Sequence, residues 1–219
     1  MLRGVPERST TIVTSMASAP QVTPNRRGAR SRQAVLDAAE RLMAIHGYEG
    51  ASLSAIIAES GIPISSVYHY YGSKDKILLA VMERGADRFF HSLPPIDGGV
   101  EAPEARLEQV FSTIGAALTA HPDFLRLLIT LAVQPQSAVD AAEVHNVVNN
   151  IREEALRRLR AVIAIAFGRR RDARAVDRLA RFTLAMIDGA FVAAQSDPSA
   201  SILELLDQLP AALVALNDR

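Results

Sequence analysis

The chain has 219 residues, 49% of them hydrophobic and 22% charged, with no Cys and a formal net charge of zero. That is enough apolar material for a sizeable core in one or two domains. It excludes a disulfide framework, a thiolate metal site and a cysteine nucleophile, and the five His at 46, 69, 91, 121 and 145 lack ligand-like spacing for a metal.

Residues 1–24 are rich in Ser, Thr, Pro and Ala without periodicity and read as a disordered tail, with Met16 as an alternative start inside it. The stretch 21–32, QVTPNRRGARSR, carries four Arg and no acid. Residues 1–90 hold 11 basic and 8 acidic side chains, and 91–219 hold 13 and 16, so a basic head precedes an acidic body. Segment 31–46 places Val35, Leu36, Ala39, Leu42 and Met43 at helical spacing, with Ser31 as cap and Gly47 as stop. A helix of barely two turns follows, capped by Ser52 and ended by Gly61. Pro63 falls at a first-turn position of another short helix, 64–71, which ends at Gly72. Ser73 caps a long helix to about His91, before Pro94 and Pro95. Two short helices joined at a Gly make a helix-turn-helix plan. Beyond 101 the pattern predicts helices at about 103–120, 123–133, 137–167, 173–196 and 199–217, the last kinked or broken at Pro210. No alternating strand pattern and no internal repeat occurs, so the fold class is all-α.

Residues 31–78 resemble the DNA-binding domain of TetR-type transcriptional regulators. The resemblance runs through Ala39, Leu42, Gly47-Tyr48, Ser52, Ile56, Gly61-Ile62, Val67-Tyr68, Tyr71, Lys74 and Leu78. Ile57 stands where such motifs usually have Ala, and Pro63 where they often have a Ser or Thr cap. The resemblance implies a three-helix head over 25–73 with a basic arm, a connecting helix and loop over 74–98, and a helical ligand-binding and dimerisation bundle over 99–219. Three of the four Tyr crowd into Tyr68-His69-Tyr70-Tyr71. Side chains in a row point several ways around a helix, so some of these rings must meet water or a partner.

A recognition helix enters the major groove N-terminus first. Ile64, Ser65, Ser66 and His69 are accordingly the expected base contacts. Tyr68, Tyr70, Ser52, Ser73 and Lys74 are expected at phosphates, because hydroxyls and helix N-termini suit them. Arg26, Arg27 and Arg30 suit an arm along the backbone or in the minor groove. A protein-contact patch, a solvated lysine and a soluble tail are the plainer readings of these same residues.

In the body, 176–194 and 202–216 are apolar nearly all round, and helices of that kind need two covers. A second copy meeting Leu184, Ile187, Phe191, Leu205, Leu209 and Leu213 would supply one, against the alternative of burial within a single chain. A ligand pocket is expected among Phe111, Ile114, Leu118, Phe124 and Leu128, with His145 and Asn149 as polar fixers or as ordinary surface residues. Glu153/Arg157 and Glu154/Arg158 read as i,i+4 pairs on a solvated face.

No Gly-rich phosphate loop, nucleophile elbow or His/carboxylate cluster points to an enzyme, and no cofactor or metal is expected. No apolar run reaches the roughly 18 residues of a membrane span, and the N-terminus lacks a signal-type segment, so the expected place is the cytoplasm. The resemblance implies double-stranded DNA with an inverted-repeat operator as partner, a homodimer, and repression released by a small, mainly apolar effector. The competing class is a helical ligand- or partner-binding module without DNA activity.

Overall fold

The computed structural model describes residues 26–93, 102–133 and 141–217, and every regular element among them is helical. The tail 1–24 and the breaks at Pro94-Pro95 and Gln134-Pro135 lie outside the described residues.

Helix α1 spans Arg26–Gly50, with a kink at Gly47 (φ 72°, ψ 170°), a conformation essentially reserved for glycine. Its beginning differs from the expectation. Ser31 is no cap: its hydroxyl donates back to the Arg27 carbonyl at 3.1 Å, and the helix runs on through the basic segment to Arg26. Arg and Ala are good helix formers and nothing in 26–30 stops the helix, so the expected arm is in part its first turns.

Helix α2 (Leu53–Ser60) is capped by Ser52, whose Oγ accepts from the Ala55 N–H at 3.1 Å, and Gly61 closes it in the left-handed region at φ 66°. Helix α3 (Ile64–Tyr71) follows, and Pro63 sits one position earlier than expected, just outside it. The Pro63 carbonyl accepts from Ser66 and Val67, while its side chain caps nothing. Helix α4 (Lys74–Ser92) starts at Ser73, whose Oγ accepts from the Lys76 N–H at 3.2 Å.

The body comprises α5 (Pro103–Ala120), α6 (Pro122–Val133), α7 (Ala141–Ala166), α8 (Arg174–Ser196), α9 (Ile202–Leu206) and α10 (Leu209–Asn217). The single last helix expected over 199–217 is therefore two. Pro210 lies in the first turn of α10, where a missing N–H is tolerated, and the chain breaks before it. Among the described residues no single helix is long and apolar enough to cross a membrane.

Helix α1 packs on α2, α3, α4 and α6, and its buried Val35, Ala39 and Met43 share a core with Ile56 of α2 and Val67 of α3. Helix α4 joins head to body: it touches α1 and α3 on one side and α5, α6 and α7 on the other. Two features fasten it. Arg84 donates to Asp37 and to Glu40 of α1, each at 2.6 Å, and Arg88 also reaches Glu40. On the body side the Phe124 ring of α6 lies so close to Gly85 that a Cβ there would collide with it.

Candidate DNA-binding face and internal pocket

The head turns the start of α3 outward. Val67 is buried as its inward anchor, while Ile64 (57%), Ser65, Tyr68 (52%) and His69 are exposed and Ser66 is half-buried. A large aliphatic side chain and a phenol ring thus each keep more than half of their surface open to solvent on this eight-residue helix. The rings divide the work. The Tyr71 hydroxyl donates to the Arg32 carbonyl at 3.1 Å, and burial raises its pKa, keeping it a protonated donor. Tyr70, expected at a phosphate, is half-buried, with the Arg32 guanidinium 5.5 Å above its ring, so α1 engages it from within the head.

Electrostatics favour an anion at this face. Arg26, Arg27 and Arg30 are exposed in the first turns of α1, and no acid occupies the first turn of α1, α2 or α3. Cations at a helix N-terminus are unfavourable for the helix itself, because they meet the positive end of its dipole. A polyanion lying across them would offset that cost. Ser52 is exposed and its oxygen is engaged as a cap, which leaves its hydroxyl proton for a phosphate unless Ser54, 3.0 Å away, takes it. Lys74, expected at a phosphate, has contacts within the head. Its Nζ stands 4.1 Å from the Tyr48 ring centroid and donates to the Glu49 carbonyl at 3.5 Å. The Tyr48 hydroxyl in turn donates to Asp75, so this lysine is held at the start of α4 as part of a small cluster.

The apolar faces of α8 and α10 require correction. Ile187, Phe191, Leu209 and Leu213, expected to meet a second copy, are buried inside this chain, Leu213 completely. Leu184 is half-buried, and with Ile187 and Phe191 it lines an internal pocket. Of the expected interface set only Leu205 is exposed. The outward apolar residues are instead Met186 (45%), Val192 (46%) and Leu203, with Ala185 and Gly189 exposed beside them on α8.

The pocket, about 770 Å³, lies among α4, α5, α6, α7 and α8. Ile114, Leu118, Phe124 and Leu128 line it as expected. Phe111 does not, being buried in the surrounding core. His145 and Asn149 are exposed on the outer side of α7 and take no part, one face away from the lining residues Ile151, Ala155, Leu159 and Val162. Sequence reasoning missed Phe89 and Phe90, where two of the seven Phe stand together, and the polar residues Arg106, Gln109, Thr113, Arg152 and Arg158. Arg158 does pair with Glu154, at 2.6 Å, but it also lines the pocket and stacks on the Phe90 ring at 4.8 Å, so that face of α7 is not simply solvated. Among the described residues no cluster of metal-ligating side chains occurs.

Residues 35–81 match the family model for bacterial regulatory proteins of the tetR family. The chain is 24% identical over 161 residues to the HTH-type transcriptional regulator BetI of Brucella anthropi, covering 74% of this chain and 79% of that one. It is 35% identical over 78 residues to the HTH-type transcriptional repressor AcnR of Corynebacterium efficiens, covering 36% and 41%. Its fold is similar to the crystal structure of a TetR transcriptional regulator from Chloroflexus aurantiacus, with a TM-score of 0.66, 21% identity, and coverage of 86% and 96%.

Proposed function

The chain belongs to the TetR family of bacterial DNA-binding transcriptional regulators, a non-enzymatic family, and on that footing we propose that it is a homodimeric repressor released from an inverted-repeat operator by a small ligand. The observation that carries the DNA side is the start of α3: Ile64, Ser65 and His69 are exposed on a helix whose inward residue, Val67, is buried. Ser65, Ser66 and His69 can donate to or accept from base edges. Tyr68, Ser52, Ser73, Lys74 and the α1 arginines hold the backbone without reading sequence.

Two copies follow from reach. One short helix covers one half-site, and a two-fold dimer covers two. The outward strip of Met186, Gly189 and Val192 is the surface of α8 left for that contact. Ligand release needs a connection from pocket to head. Phe89 and Phe124 line the pocket, and Phe124 also rests on Gly85 of α4. A ligand that shifts either ring favours one position of α4 over another and so changes the spacing of the two heads.

Selection of binding sites from random duplexes tests this. An inverted repeat should emerge, and His69→Ala or Ser66→Ala should change the preferred base at defined positions, weakening binding by about 1–3 kcal/mol for each base edge no longer hydrogen-bonded. A single half-site, or the same site from both variants, would defeat the proposal.

A further inference from the structure

The outward face of α8 changes character along its length. Arg174, Arg178, Arg181, Ala185, Gly189 and Val192 are all exposed and recur three or four residues apart, so they form one stripe. The first three are cationic and the last three small or apolar. Segment 157–181 holds nine Arg and two acids, whereas 182–217 holds four acids and no Lys or Arg. Asp177 serves Arg160 at 2.6 Å and Arg181 at 2.9 Å, while Arg174 and Arg178 form no ion pair among the described residues. Arg174 also stands in the first turn of α8, where its charge opposes the helix dipole.

The acids gather at the opposite end. Asp188 is taken by Arg152 at 2.7 Å. Asp197 directly follows α8, Glu204 lies on α9 and Asp207 directly follows α9; all three are exposed and form no ion pair among the described residues. Helix α9 packs on α8, and α10 then returns toward the start of α8, because Arg169 donates to Asn217 Oδ1 at 2.8 Å. The free guanidiniums therefore sit at the N-terminal end of α8 and the free carboxylates at its C-terminal end, with the apolar stretch between them.

One occupant satisfies both ends at once. The stretch from Ala185 to Val192 is centred between Asp188 and Gly189. A two-fold axis there lays a second α8 antiparallel and makes every contact twice. Arg181 stands about 11 Å before that centre and Asp197 about 13 Å after it, at roughly 1.5 Å per residue, so each basic end falls on the other copy's acidic end. A parallel pairing would set arginine on arginine. We propose that a second copy of this chain docks antiparallel on α8, with Arg174, Arg178 and Arg181 of each protomer facing Asp197, Glu204 and Asp207 of the other. This rests on the homodimer reading and adds its orientation and register. Exposed ion pairs contribute little affinity, but like charges brought face to face exclude the wrong arrangement.

Charge reversal tests the pairing. Arg174→Glu with Arg178→Glu makes both ends acidic, and Glu204→Lys with Asp207→Lys makes both ends basic. All four side chains are exposed, so folding should persist, with circular dichroism as the check; where a double variant loses its helical signal, Arg178→Glu and Glu204→Lys alone serve instead. By analytical ultracentrifugation each variant on its own should dimerise roughly a hundredfold more weakly than the parent. An equal mixture of the two should restore both dimerisation and operator binding, because unlike faces meet again. A dimeric parent with undiminished dimers from each variant would overturn the pairing and leave the homodimer standing, as would weak dimers that mixing does not rescue. Undiminished dimers together with weaker binding of random-sequence DNA by Arg174→Glu/Arg178→Glu would assign the arginines to a polyanion instead. A parent that is monomeric at micromolar concentration would overturn both readings.

Discussion

Glu40→Ala puts a number on the fastening between head and lever. Glu40 lies on α1 with its side chain 11% exposed, and it accepts from Arg84, itself 13% exposed, and from Arg88 on α4. Removing it leaves Arg84 with Asp37 alone and Arg88 without its carboxylate. Breaking a buried pair costs about 3–5 kcal/mol when the surviving charge is stranded. Asp37 remains at 2.6 Å and Arg88 is 41% exposed, so both survivors are partly compensated. The expected loss is therefore nearer 2–3 kcal/mol, a large part of the roughly 5–15 kcal/mol that stabilises a typical protein. Urea unfolding reads it directly, and thermal unfolding should fall by roughly 4–12 °C at this chain length. Glu40→Leu combined with Arg84→Met should recover much of the loss, because apolar replacement of a buried pair is often neutral. A Glu40→Ala variant within about 0.5 kcal/mol of the parent would refute the reasoning, placing these charges among ordinary surface pairs.

Replacing Arg26, Arg27 and Arg30 with Ala should weaken all DNA sequences alike and lower the slope of log K against log salt by roughly 0.9 for each phosphate no longer neutralised, measured by fluorescence anisotropy. Val192→Arg on the outward face of α8 should yield folded monomers with poor operator binding in analytical ultracentrifugation. Phe191→Arg, one residue away and 3% exposed, should instead unfold the body, visible as lost helical circular dichroism. Burial, with Arg88 nearby, holds His121 below its ordinary pKa of about 6.5. The unfolded chain therefore takes up this proton first, and stability is lost as the pH falls from about 6.5 toward the lower folded value. His121→Gln should flatten that part of a stability-against-pH curve, and an unchanged curve would assign the acid loss to other groups.

Much of this architecture was legible in local chemistry. Gly61, Gly72 and Pro122 mark real helix ends, and Gly47 a kink near the end of α1, because their constraints act within a few residues, whatever surrounds them. The inward place of Val67 and the exposure of Ser65 and His69 follow from the same short-range logic on a helix of two turns. Periodicity reports which residues share a face, and it is silent on what that face meets. Thus Leu184, Ile187 and Phe191 do form one side of α8, but that side looks into the pocket, and Met186 and Val192 look outward. Both sides carry large apolar residues, so it was the packing of α8 against α7, α9 and α10 that separated them. The same holds for Arg158, whose spacing from Glu154 describes a surface pair equally well. It became part of a pocket because α4 ends beside it and offers the Phe90 ring and carbonyl, a meeting of residues 68 apart in the chain that no local pattern encodes.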